Sequence, residues 1–217
     1  MELMEADSFD QADAYLRSSP YFAAHLYDRV EVEDDHQEQR RLFAILEQID
    51  DKDAESLSAV WSRLAALLDS HAEAEERLFY PELLRLGRGA DTKPTSTAET
   101  EDAIKDHNDI RDAVAKVHGL FVRSPEWRQA VAAANHANSD HMAEVERQGL
   151  ADFRRNAPLD LRHELGVHFA AFEASHLTGV KPVDKDPKTY IAEHLPASPP
   201  ATTVAPSTSS PSSASPP

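Results

Sequence analysis

The sequence predicts an all-α fold, an up-and-down four-helix bundle with one further helix near the C-terminus. Three observations carry this expectation. Apolar residues recur at helical spacing in four long runs, no useful length of chain alternates apolar and polar residues as a strand would, and glycine is scarce while proline gathers in the tail. A length of 217 residues allows one domain or at most two, and a 41% hydrophobic fraction suffices for a sizeable core.

The first helix is expected over residues 31–49, turning Val32, His36, Phe43, Leu46 and Ile49 to the core. Asp53 is a plausible N-cap for the second, over 54–86, which lines up Leu57, Trp61, Leu64, Leu68, His71, Glu75, Leu78 and Glu82 on one side. Pro81 falls inside that pattern and should kink the helix, because it lacks an N–H and its ring crowds the preceding turn. The stretch GRGADTKP over 87–94 is a breaker. A third helix to about residue 123 turns Ile104, His107, Ile110, Val114, Val117 and Phe121 inward. Ser124-Pro125-Glu126 opens the fourth, with serine as cap and proline in the first turn. It runs to about residue 156 through Trp127, Val131, Ala134, His141, Val145 and Gln148. Beyond Pro158, a fifth amphipathic segment puts Leu161, Leu165, His168, Phe169, Phe172 and His176 on one face, and residues 180–195 are expected to wrap onto it.

The expected organisation is thus an N-terminal segment (1–29), a bundle (30–156), an accessory helix and wrap (157–195) and a tail (196–217). The tail is built from Pro, Ser, Thr and Ala and carries no charged side chain, so it cannot bury enough apolar surface to offset its ordering entropy and is expected to be disordered.

Composition excludes several classes of function. Cysteine is absent, which removes disulfides and thiolate metal sites. The formal charge of −17 repels phosphate backbones and anionic lipids, so neither nucleic acid nor membrane is an expected partner. The acidic N-terminus lacks the apolar run of a secretory signal, and the expectation is a cytoplasmic protein.

Four histidines, at 36, 71, 107 and 141, are spaced by 35, 36 and 34 residues. In an up-and-down bundle, points at one height on successive helices are separated by about one helix plus one loop. His107 lies about 16 residues before the turn at Ser124 and His141 about 16 after it, so at ~1.5 Å rise per residue the two stand level. A single histidine on an apolar face is ordinarily a hydrogen-bonded core residue. Four at one depth are better explained by a divalent metal, because their acceptor nitrogens otherwise lack partners. Glu75 lies one turn after His71 on the same face. Glu73 and Glu76 flank it and read as a solvated charged face. The turn position after His141 is Val145, which cannot ligate; the nearest acids are Glu144 and Glu146. Imidazole and carboxylate without thiolate suit iron or manganese, with zinc a further option.

These residues resemble the hemerythrin-like (HHE cation-binding) family. The resemblance covers roughly residues 30–156 and rests on DDHQEQRRLFAIL around His36, HAEAEERLFYPEL around His71, IKDHNDI around His107 and DHMAEVER around His141. It implies a bundle around two irons bridged by carboxylates, with His36 and His71 on one iron, His107 and His141 on the other, and Glu75 bridging. Glu146, five residues after His141, is the implied second bridge, with Glu144 in reserve. Oxygen-carrying members have a second histidine four residues from the third-helix one; here that position is Arg111. The resemblance implies a non-haem di-iron protein whose partners are small molecules (O2, hydrogen peroxide or nitric oxide), with catalase-like turnover among the outcomes. An iron- or oxygen-sensing module without turnover is the alternative, and a metal-free helical interaction module is left open by Val145. Of the other histidines, His118 reads as core or cavity lining, and His168 and His176 as packing for the fifth helix. His136 with Asp140 reads as a pair lying around the helix from His141. A tyrosine ligand, Tyr80 or Tyr27, stays open.

Overall fold

The fold is that of a computed structural model, which describes residues 31–196. Residues 1–29, with Tyr27, and the tail beyond Pro196 lie outside the described residues. Within them the chain is all helical: α1 (Glu31–Gln48), α2 (Ala54–Ala74), a π-helical turn (Glu75–Phe79), α3 (Tyr80–Leu86), α4 (Ser96–His118), α5 (Pro125–Arg147), α6 (Gly149–Asn156), α7 (Leu159–Ser175) and α8 (Pro187–His194). Among these, no helix is long and apolar enough to cross a membrane.

Side chains start the long helices as the sequence suggests. Asp53 accepts from the Ser56 N–H, Thr95 from Ala98 and Ser124 from Trp127, each satisfying an amide that the first turn leaves unpaired. Helix α1 packs on α2 and α4 on α5, while α7 lies over α1 and α2 and α8 over α4.

The core is split in two. One apolar cluster gathers Val32, Phe79, Tyr80, Leu83, Ile104, Val145, Leu150, Phe153 and Phe169. The other gathers Phe43, Leu46, Leu57, Trp61, Leu64, Leu68, Ile110, Val114, Trp127 and Ala134. Along each long helix a histidine falls between members of the two: His36 between Val32 and Phe43, His71 between Leu68 and Phe79, His107 between Ile104 and Ile110, His141 between Ala134 and Val145. A polar layer is therefore sandwiched between two greasy ones, which keep water from reaching it along the bundle axis.

Several boundaries differ from the sequence expectation, each for a local reason. The second helix does not simply kink at Pro81. It widens into the π-turn beginning at Glu75, where the Tyr80 N–H bonds the Glu75 carbonyl five residues back. This disturbance lies just ahead of the proline, which has no N–H to continue a regular ladder. The third helix stops at His118 rather than near residue 123, because Gly119 is a poor helix former and the last amides tighten onto carbonyls three residues back. Phe121, expected inside, is consequently 81% exposed, and His118, expected in the core, is also exposed, its ring 6.1 Å from that of Trp61. The fourth helix breaks at Gln148 (φ −108°, ψ −87°) before α6, whose Gly149 packs closely on Leu83 and Phe79. On α7, Leu165 and Phe169 face the core as expected, while His168 is exposed. Between α7 and α8 the chain crosses α2 at Gly179 (φ +88°), where a Cβ would come within 3.1 Å of the Ala66 Cα.

Candidate metal centre

The four histidines of the polar layer are at most 4% exposed, and they meet in two pairs. The His36 and His71 rings lie 5.0 Å apart, and those of His107 and His141 4.5 Å apart. Glu75, wholly buried, stands between the pairs. Its Oε1 is 3.6 Å from His71 Nε2, and its Oε2 is 3.0 Å from His107 Nε2 and 3.5 Å from His141 Nε2. The Tyr80 hydroxyl donates to the same Oε2 at 3.1 Å. Two groups with ligand geometry share this carboxylate: His36, His71 and Glu75, and Glu75, His107 and His141.

Every histidine presents its other ring nitrogen to a carboxylate on a neighbouring helix. Asp35 Oδ2 is 3.1 Å from His71 Nδ1, Glu76 Oε1 is 2.8 Å from His107 Nδ1, Asp106 Oδ2 is 3.4 Å from His141 Nδ1, and Glu146 Oε1 is 2.9 Å from His36 Nδ1. The four carboxylates form a closed circuit around the bundle, α1 serving α2, the π-turn serving α4, α4 serving α5, and α5 serving α1. An ionised carboxylate only accepts, so Nδ1 of His36, His71 and His107 carries a proton and Nε2 is the nitrogen turned into the layer; His141 Nδ1 stays at ion-pair distance from Asp106 without a hydrogen bond. Such carboxylate–histidine pairs fix ring orientation and raise the basicity of the free nitrogen.

That arrangement fits a metal. His36 Nε2, His71 Nε2 and Glu75 Oε1 are buried without a hydrogen-bond partner. The Nε2 atoms of His107 and His141 face each other at 3.0 Å, which places two lone pairs together unless a proton or a cation lies between them. Buried acceptors left unpaired cost free energy that a bound cation recovers. In the metal-free chain the rings differ in charge. Burial pushes His36 down to about 4, against the pull of Glu146. Burial also opposes charge on His141, but Asp106 and Glu75 outweigh it and raise the ring to about 9. Burial works against ionisation of Glu75 too, yet His71 and His107 hold its carboxyl well below the usual range.

Five of the six expected ligands, His36, His71, Glu75, His107 and His141, come together in the layer. The structure places Glu146 elsewhere: half-buried, its carboxylate lies on His36 Nδ1 and on Arg40 Nη2 at 2.8 Å. Glu144 lines a small cavity of about 10 Å³ with Tyr80, Ala103, Asp106 and Val145, room for about one water. His136 and Asp140 form an exposed pair, 3.3 Å apart. Glu73 and Glu76 are not a solvated face: both are buried, and Glu76 receives two bonds from Arg111 at 2.9 Å besides its contact with His107. Burial works against its ionisation, but His107 and Arg111 bring the carboxyl down to about 2.

The signal that reveals this outer ring is an internal repeat. Asp35, His36 and Arg40 recur as Asp106, His107 and Arg111, each 71 residues on. His71 and Glu76 recur as His141 and Glu146, each 70 residues on, and Arg40 holds Glu146 as Arg111 holds Glu76. The centre therefore has a pseudo-twofold relation between its halves. In that relation the counterpart of Glu75 is Val145.

Residues 29–150 match the family model of the hemerythrin HHE cation binding domain. Comparison with curated proteins and with solved structures returned no match. The matched span holds all four layer histidines and Glu75, and the chain belongs to the hemerythrin HHE cation-binding domain family.

Proposed function

We propose that the bundle holds two iron ions, one on His36 and His71 and the other on His107 and His141, with Glu75 bridging, and that the pair binds or reacts with dioxygen, hydrogen peroxide or nitric oxide. The observation that carries this reading is the shared carboxylate: Glu75 belongs to both buried groups, with one oxygen toward each. In this reading Glu146 is an orienting partner of His36 rather than a ligand. Imidazole and carboxylate without thiolate suit iron. Bound iron would supply one-electron redox chemistry and coordination positions open to a small molecule. Four imidazoles and one bridging carboxylate fill six of about twelve positions on two six-coordinate ions.

The chain's own residues do the rest. The Nδ1 carboxylates orient the imidazoles, Tyr80 steadies the Glu75 oxygen, and the flanking apolar clusters keep the layer dry. Metal analysis of protein purified from iron-rich medium tests the proposal. The expected result is two irons per chain and a near-ultraviolet charge-transfer band that weakens in His71→Ala, with peroxide consumption marking catalase-like turnover. Colourless protein without bound iron refutes it.

A sensing role draws on a different observation. Helix α7 sets the Phe169 ring 5.5 Å from that of His71, and the Tyr190 hydroxyl on α8 donates to the Glu76 carbonyl, so the accessory helices rest on the layer. Occupancy that changes protease resistance without consuming peroxide favours the sensor. Fast peroxide loss with unchanged resistance favours the enzyme.

A further inference from the structure

The two halves of the centre match in their histidines but not in the charges that lie behind them. Behind His36 stands Glu146, half-exposed and paired, among the described lysines and arginines, with Arg40. Behind His107 stands Glu76, wholly buried and held by Arg111 as its counterpart is by Arg40. A second cation, Lys185, also reaches it: the ammonium contacts Glu76 Oε2 and lies 2.9 Å from Glu73 Oε2. Lys185 belongs to the strap between α7 and α8, beyond the 29–150 span of the family domain. Its backbone is tied down independently of its side chain, the N–H donating to Asn108 Oδ1 at 3.1 Å and the carbonyl accepting from Asn108 Nδ2 at 2.8 Å.

We infer that Lys185 is a positioning residue that makes the His107/His141 position the more easily reduced of the two metal positions. This rests on the di-iron reading above. Two effects of the Lys185 charge act in the same direction. A positive charge near one metal position favours its less positive, reduced state, and the Lys185 side chain, 25% exposed, is only partly screened by water. The same charge draws on Glu76, which then pulls less strongly on the His107 Nδ1–H, and His107 becomes a weaker donor to a ferric ion. Among the described residues the other half has only Arg40 in this role. A segment outside the family domain sets the two halves apart.

The test compares wild type, Lys185→Met and Lys185→Arg, each loaded with iron and titrated by spectroelectrochemistry. In Lys185→Met the ferric state at the more easily reduced position is expected to gain about tenfold over the ferrous, a fall of about 59 mV in the higher midpoint. Lys185→Arg keeps wild-type values. A second readout needs no redox chemistry: the visible spectrum of the cobalt-substituted protein shifts in Lys185→Met and not in Lys185→Arg. Melting of the metal-free variants checks that the strap is still seated. Lys185→Gln, which keeps a donor for Glu76 but no charge, replaces the Met variant if that protein loses the strap. Unchanged midpoints in a loaded, folded Lys185→Met overturn the inference, as do equal shifts in the Arg and Met variants. Wild-type protein that takes up no metal overturns the di-iron reading itself.

Discussion

Glu146→Gln decides whether this carboxylate is a ligand or an orienting partner. The sequence resemblance implies a bridge, whereas the structure has Glu146 on His36 Nδ1 and Arg40. A glutamine keeps the shape, and its amide oxygen still accepts from the His36 ring. The variant is therefore expected to bind two metal ions per chain, with affinity lowered at the His36 position. Loss of such an outer partner typically costs ~10–100-fold, about 1.4–2.7 kcal/mol. Glu146 and Arg40 have side chains 32% and 44% exposed, so water replaces part of the lost interaction and the lower end of that range applies. Glu76→Gln is the internal comparison. There Arg111 and Glu76 are both buried, and removing the charge leaves the guanidinium without its main partner. The expected loss of folding stability is about 3–5 kcal/mol, against about 1 kcal/mol or less for Glu146→Gln. Metal analysis with chelator competition gives the stoichiometry and affinity, and denaturant unfolding of the metal-free proteins gives the stability. If Glu146→Gln binds one ion while His36→Ala still binds two, the assignment of Glu146 to an orienting role is wrong.

Stripping the metal should lower the melting temperature: at a hundredfold excess over Kd, occupancy contributes about 2.7 kcal/mol, roughly 5–10 °C for a chain this size, and calorimetry with and without chelator measures it. Val145→Glu puts a carboxylate at the pseudo-twofold counterpart of Glu75. The metal-free variant should lose about 3–5 kcal/mol as an unpaired charge enters the interior and recover most of it on metal addition; equal losses with and without metal would mean that the side chain does not face the ions. Glu99 supplies a pH dependence. Burial and the Asp152 carboxylate push it up to about 7, above its ordinary 4.5, so the folded chain holds a proton that the unfolded chain releases. Its contribution is complete below 4.5 and is lost as pH rises through 7, on the order of 1–2 kcal/mol after allowance for solvent screening, and Glu99→Gln should flatten that slope in pH-dependent unfolding.

What could be read from the sequence follows from which residues obey a regular period. The four histidines sit on apolar helical faces, so their convergence needs only 3.6 residues per turn and matched loop lengths. Glu75 is legible for the same reason. Glu76 is not: one residue later on an ordinary helix it points well away from Glu75, and only the π-turn brings both carboxylates inside. Pro81 announces a disturbance without saying that it takes the form of an inserted residue. Phe121 fits the third helix's period, but Gly119 ends the helix before that period can be used. Lys185 lies in a strap with no periodicity, 109 residues from its partner Glu76, and no spacing rule connects them.

The internal repeat separates what the architecture requires from what distinguishes this chain. Asp35 and Asp106, Glu76 and Glu146, and Arg40 and Arg111 all obey the pseudo-twofold, so they are parts of one scaffold that orients imidazoles. Three residues at the centre do not obey it. Val145 stands where symmetry asks for a second Glu75, and it borders the small cavity beside Asp106. Tyr80, whose counterpart is Leu150, donates its hydroxyl to the Glu75 carboxylate. Lys185 gives one outer carboxylate a second cation that its counterpart lacks among the described residues. In the di-iron reading proposed above, the first would withhold a ligand from one face, the second would steady the ligand on the opposite face, and the third would make the two metal positions electrostatically unequal. Reactivity particular to this chain should therefore respond to changes at these three positions. Changes at the symmetric ones should act mainly on whether the centre assembles.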